Sequence, residues 1–256
     1  MLRSLTTLQG YVIEARDGHV GRIRDFLFED DTWEIRYLVD DTGHWLPGRK
    51  VLIPTSIIED LDWRDEAIKV PMTKEEIENG PGIETDAPVT RQMEMALFEH
   101  YRWIPYWAPY GMAQPMIVPI MPGAAISPAP EFESDTHPPV REERSADPHL
   151  QSFNDVMSFH VMHEGEDLGR MSDMIFDDAT WEVASFVFDT GQMLMRGKRI
   201  QVEAERVRGI LPDQGKITVD MTKEETETCP SFNLTQLIQE QLKPEHAPGV
   251  HAGNVR

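Results

Sequence analysis

The sequence predicts a mainly β protein: two small β-barrels joined by a helix and a Pro-rich linker. Two observations carry this prediction. Residues 21–43 (GRIRDFLFEDDTWEIRYLVDDTG) recur at 169–191 (GRMSDMIFDDATWEVASFVFDTG), and MTKEE recurs at Met72–Glu76 and Met221–Glu225. A long, ordered and nearly gapless self-match is the signature of a duplicated structural unit. Each copy also breaks into short runs of alternating apolar and polar residues bounded by turn residues, the period-2 pattern of half-buried strands.

Taken in order, Val12-Ile13 opens the first copy and leads to Asp17-Gly18, a two-residue hairpin signal. A strand is expected from Val20 to Phe28, with a polar turn at Asp30-Asp31-Thr32. Between Trp33 and Val39, Ile35, Tyr37 and Val39 alternate with Glu34 and Arg36. Val51-Leu52-Ile53 and Ala67-Ile68-Lys69-Val70 supply the last strands. The second copy repeats the scheme through Val183, Phe186, Phe188, Ile200 and Ile217-Thr218-Val219. So many short strands must hide their edges, and closure into a barrel does so. Each copy then ends in a capping box, Thr73–Glu76 or Thr222–Glu225, that starts a short helix stopped before Pro81 or Pro230.

The expected organisation is a first barrel over 1–82, a helix with an aromatic extension over 83–111, a Pro-rich flexible linker over 112–148, a second barrel over 149–232, and a short helix with a disordered tail over 233–256. In the connector, residues 89–100 read as a helix with Met93 and Leu97 on one face. Tyr101, Trp103, Tyr106, Trp107 and Tyr110 follow it. Two readings of these aromatics stand: they fold back to extend a core, or they form an exposed surface for a protein partner, since Trp and Tyr are enriched at binding hot spots. Near the C-terminus, Leu234, Leu237, Ile238 and Leu242 share one face of a helix with Asn233 as its N-cap.

Charge narrows the function. The 256 residues include 24 Lys+Arg against 45 Asp+Glu, a formal net charge of -21. That field repels phosphate backbones, so direct nucleic-acid binding is not expected. From Trp103 to Pro130 no residue is charged, but seven prolines interrupt the run, and a lipid-exposed helix there would leave its backbone unsatisfied. No transmembrane segment is expected. Cys229 is the only cysteine and the N-terminus lacks an apolar signal run, so a reducing, cytoplasmic setting is expected, with membrane association through a partner at the inner face as an extension of it.

Candidate chemistry is sparse. His160 and His163 are placed on a strand, where residues three apart point to opposite faces, so no metal is expected there. The acids at Glu29-Asp30-Asp31 and Asp177-Asp178 read as a solvated rim. No nucleophile elbow, phosphate loop or dinucleotide motif occurs. No catalytic residue and no cofactor are therefore assigned, and the chain is expected not to be an enzyme. Gly21, Asp25 and Trp33, with their equivalents Gly169, Asp173 and Trp181, are kept by the duplication and read as structural: glycine for a tight strand entry or bulge, aspartate to tie down a turn or neighbouring strand, tryptophan to plug a barrel.

The run from Gly21 to Gly43, followed by Val51-Leu52-Ile53-Pro54 and the stretch Val70–Pro81, resembles the PRC-barrel family, over roughly 2–82 and 150–232. The second copy departs from the pattern at Ile200-Gln201-Val202-Glu203. The family is named from the cytoplasmic domain of the photosynthetic reaction centre H subunit, and the ribosome maturation factor RimM carries a related barrel. The resemblance implies a bacterial protein-interaction module with no catalytic residue. It leaves three expectations: an adaptor for protein partners, an accessory subunit of membrane electron transfer, or a ribosome-assembly factor.

Overall fold

The computed structural model describes residues 1–41, 50–81, 89–107, 150–191 and 197–241. It divides into two compact units, residues 1–88 with 149–256, and residues 89–148. Both copies of the repeat lie in the first unit.

The first copy supplies β1 (Leu2–Ser4), the one-turn helix α1 (Leu5–Leu8), β2 (Val12–Ala15), β3 (Gly18–Glu29), β4 (Ile35–Asp41), β5 (Lys50–Pro54), β6 (Asp60–Asp62), β7 (Ala67–Lys69) and α2 (Lys74–Asn79). The second unit holds α3 (Arg91–Tyr101). The second copy supplies β8 (Leu150–Ser152), α4 (Phe153–Val156), β9 (His160–His163), β10 (Glu166–Asp177), β11 (Val183–Asp189), β12 (Arg199–Glu203), β13 (Val207–Leu211), β14 (Lys216–Val219), α5 (Lys223–Thr228) and α6 (Leu234–Gln241).

The protein is mainly β, as expected, and its described residues form two seven-stranded sheets. One runs β5-β4-β3-β2-β7-β6, the other β12-β11-β10-β9-β14-β13. In each, a run of four antiparallel strands is joined to a two-stranded antiparallel hairpin by one parallel pair, β2 with β7 or β9 with β14. Among the described residues no ladder joins the two outermost strands of either sheet, so the expected closed barrels are seen here as sheets.

The seventh strand of each sheet corrects the expectation that each copy folds on itself. β8, from the second copy, pairs antiparallel with β3 of the first, Leu27 opposite Ser152 and Glu29 opposite Leu150. β1, from the first copy, pairs in the same way with β10 of the second, Ser4 opposite Ile175 and Leu2 opposite Asp177. Each copy thus lends its N-terminal arm to the other. The physical reason lies in the long strand of each copy. β3 is 12 residues long, and the shorter β2 covers only Gly18–Arg22 of one edge. Gly10 and Tyr11 bond Ile23 on that edge, and the stretch Leu27–Glu29 beyond it is where the strand of the other copy pairs; a buried backbone group left unpaired there would cost about as much as a lost hydrogen bond.

The core of each sheet is apolar and tightly closed. Ile13, Phe26, Phe28, Ile35, Leu38 and Ile53 are fully buried in the first copy. Met174, Phe176, Phe186, Phe188, Ile200 and Val202 do the same in the second. Both expected capping boxes are present: Thr73 and Thr222 accept the N3 amides while Glu76 and Glu225 accept the N-cap amides. No described helix is long and apolar enough to cross a membrane.

Candidate functional site

Residues repeated in both copies converge on the junction between them, within one compact unit. Beside Asp25 and Asp173 the register slips, between Ile23 and Asp25 in one copy and between Met171 and Asp173 in the other. A slip of this kind re-aims the following side chain. Asp25 is thereby directed at the arm of the second copy: its Oδ2 accepts from the Ser152 hydroxyl at 2.6 Å, and its Oδ1 accepts from the Asn154 amide at 3.0 Å and the Phe26 amide at 2.8 Å. Asp173 makes the reciprocal set with the first arm. It accepts from the Ser4 hydroxyl at 2.5 Å, from the Thr6 amide at 3.2 Å and hydroxyl at 2.9 Å, and from the Met174 amide at 2.8 Å.

The arms themselves repeat. Ser4 and Ser152 are N-caps of α1 and α4, each accepting from an amide three residues on, Thr7 or Asp155, at 3.2 Å. The turns then drive Leu5 and Leu8, or Phe153 and Val156, to full burial. Each such side chain contributes about 1.5–3 kcal/mol when removed from water. Phe153 meets Phe26 of the other copy edge-to-face at 5.7 Å. Arg3 lies 4.4 Å over Trp63 of its own copy while donating to Asp178 of the other, and Gln151 donates to Asp30 at 3.0 Å in the counterpart position.

Trp33 and Trp181 form the second joint. Both have left-handed backbone, with φ of 60° and 61°. That conformation costs a bulky residue about 1–2 kcal/mol. It turns the chain so that the Ile35 amide donates to the Trp181 carbonyl and the Val183 amide to the Trp33 carbonyl, each at 2.8 Å. Glu34 and Glu182 face each other in this short antiparallel bridge. The Trp33 ring also packs across the junction, 5.0 Å from Phe186. Trp181 instead stacks on Phe176 of its own copy at 5.2 Å.

The glycines serve the same architecture by different means. At Gly21 a Cβ would fall 2.1 Å from the buried Asp40 carboxylate, and at Gly169, with φ of 145°, it would fall 2.2 Å from the Asp189 carbonyl oxygen. Neither site has room for a methyl group.

Burial is the largest influence on Asp25 and raises its pKa; the Ser152, Asn154 and Phe26 donors oppose the shift, and Asp155 adds to it. Glu34 is also raised, first by burial, with Arg36 pulling it down and Glu29 and Glu182 pushing it up.

The aromatic residues behind α3 form a separate cluster in the second unit. Thr90 caps α3, and Arg102, in left-handed conformation, ends it. The chain then reverses, placing Trp103, Tyr106 and Trp107 around Phe98 at ring distances of 6.3, 6.3 and 5.2 Å. Tyr101 stacks on Trp103 at 4.3 Å. Arg91 sits 4.0 Å over Trp107 and pairs with the fully buried Glu94, which accepts from the Tyr106 hydroxyl at 3.1 Å. Tyr106 is therefore committed inside the cluster. Tyr110 lies outside the described residues. Met95 and Ile104, which the sequence reading did not single out, are 57% and 59% exposed.

His160 and His163 lie on β9 and take separate partners: His160 meets Asp167 at 2.7 Å and His163 the Val219 carbonyl at 2.9 Å. No group of three metal-ligating side chains occurs among the described residues. A groove of about 700 Å³ is lined by His160, Asp167, Arg170, Lys198, Lys223 and Glu227. Its Lys198 ammonium is held by the Thr226 and Glu227 carbonyls at the end of α5. No protein-family model matches the chain, and no curated protein matches it.

Proposed function

We propose that this chain is a non-enzymatic interaction protein, an adaptor whose two PRC-type modules form one platform for protein partners at the cytoplasmic face of a membrane. The observation that supports this reading best is the α3 cluster. Its aromatic rings, the buried Glu94 carboxylate paired with a part-exposed Arg91, and the Tyr106 hydroxyl bond hold one another in place, yet Met95 and Ile104 are left more than half exposed. A preorganised apolar surface binds without paying to order its side chains first. The repeated polar residues favour the same reading, because Asp25 and Asp173 accept bonds from within the chain and serve assembly.

In-cell crosslinking and affinity recovery of the intact chain test this. Replacing Met95 and Ile104 together by Lys is expected to lower recovery of a discrete partner set at least about tenfold, since a few buried contacts dominate binding energy. The far-ultraviolet circular dichroism should be unchanged. Trp103→Ala with Trp107→Ala should lower recovery and also loosen the cluster. Recovery unchanged by the Lys pair would remove the proposed surface.

A further inference from the structure

The joint between the two copies is built twice from equivalent parts. Each arm is an extended triplet, a Ser N-cap and one helical turn, and each dock is the free edge of a long strand with an Asp aimed at that Ser. Such a joint fixes which surfaces meet, but not whether they belong to the same molecule. The connection between the copies, residues 82–149, includes the Pro-rich stretch 112–148. Leaving out the folded stretch 89–107, the rest of this connection at no more than about 3.5 Å per residue could still reach beyond the span of a small domain. Exchange of identical elements between protomers is a low-cost route to a closed dimer, because every contact of the monomer is reused.

We propose that the arm exchange also operates between chains, and that a second copy of this chain is the partner. The first copy of one molecule joins the second copy of its neighbour, and the remaining two copies close the ring. Arm 1 of each molecule seats on β10 of the other, with Ser4 on Asp173, and arm 2 on β3, with Ser152 on Asp25. The covalent connection favours the intramolecular joint through an effective concentration on the order of 1 mM or below. Between chains the joint therefore forms when molecules fold together at comparable concentration. This inference goes beyond the proposed adaptor role and is independent of it.

The test refolds full-length chains in which Cys229 is replaced by Ser. One population carries Leu2→Cys and the other Asp177→Cys, positions that lie opposite each other across β1 and β10. Co-refolding from denaturant at high concentration, followed by oxidation with oxidised glutathione as the electron acceptor, is expected to give a disulfide-linked dimer of one chain of each kind. Its share should fall about tenfold for each tenfold dilution. A single chain with both substitutions should close within itself when dilute. Native mass spectrometry of unsubstituted chains, isotopically light and heavy and refolded together, should give a mixed dimer without any engineered cysteine. If the doubly substituted chain closes while the mixed populations never crosslink, exchange is confined to one molecule and the proposal fails. Light and heavy chains that remain separate monomers at the highest concentration overturn it equally, as does a mixed dimer without the Leu2–Asp177 link.

Discussion

At the scale of single residues, Asp25 and Asp173 do the most with the least. Each carboxylate gathers donors from its own strand and from the other copy's arm. Asp173→Ala leaves those donors without their acceptor and is expected to cost about 2–3 kcal/mol in urea unfolding. Asp25→Asn should cost under about 1 kcal/mol. Its amide oxygen can keep the two backbone donors, while its NH₂ reverses the bond to Ser152. The same pair of proteins reads out pH. Because the folded pKa of Asp25 is raised, the native state holds this proton longer than the unfolded chain does. The contribution of Asp25 is therefore greatest in acid. It declines as pH rises from the unfolded carboxylate value, near 4, through the folded value, and is flat above that. Parallel urea titrations should show wild type losing stability relative to Asp25→Asn across that window; a difference that grew with pH would contradict the assignment. Trp33 poses the opposite balance. Trp33→Gly relieves the left-handed backbone but removes the ring contact with Phe186, and a net loss of about 2 kcal/mol is expected.

At the scale of elements, the two capping boxes are matched helix starts, and Thr73→Ala and Thr222→Ala should each lower stability by about 1 kcal/mol in thermal or urea unfolding. These boxes were legible from sequence because four adjacent residues determine them. The hairpin β2–β3 was legible too, from alternation and from Asp17-Gly18, although its turn lies one residue earlier, at Arg16-Asp17, with Gly18 opening β3 opposite Ala15. The arms were not. Three residues of strand and four of helix are too short for any period to register. Their signal lay instead in the repeat: Leu2-Arg3-Ser4-Leu5 and Leu150-Gln151-Ser152-Phe153 stand 148 residues apart, the same offset as Gly21 and Gly169. Even so, a strand pattern specifies which face is buried and says little about which edge it joins. Asp25 was expected to tie down a turn or a neighbouring strand; its bonds run to the arm of the other copy, which topology decides. The aromatic run behind α3 was read either as core or as surface. Tyr106 and Trp107 turn inward around Phe98, while apolar exposure falls on Met95 and Ile104.

At the scale of the molecule, duplication explains the form of the joint. A unit that lends its arm and receives another has a self-complementary interface of the kind that two-fold dimers use, with each surface meeting its own equivalent. Covalent fusion of two such units keeps that interface and lets the copies diverge. Trp33 and Trp181 already differ: each lies against the equivalent phenylalanine of its own copy, Phe28 or Phe176, and the Trp33 ring also packs on Phe186 across the junction. Because each sheet contains a strand of the other copy, neither copy can lose its fold alone without stripping an edge from its neighbour. One cooperative unfolding transition is therefore expected, lowered alike by Asp25→Ala and Asp173→Ala.

The most direct test of reciprocal exchange is native-state hydrogen exchange on Ser152→Ala. The substitution lies in the second copy, but its hydroxyl serves the first. The arrangement predicts faster exchange at the Phe28 amide of β3, opposite Gln151 of arm 2, while the Glu29 amide, which donates to the Glu34 carbonyl of its own copy, changes less. Loss of protection confined to strands of the second copy, with β3 unaffected, would contradict it.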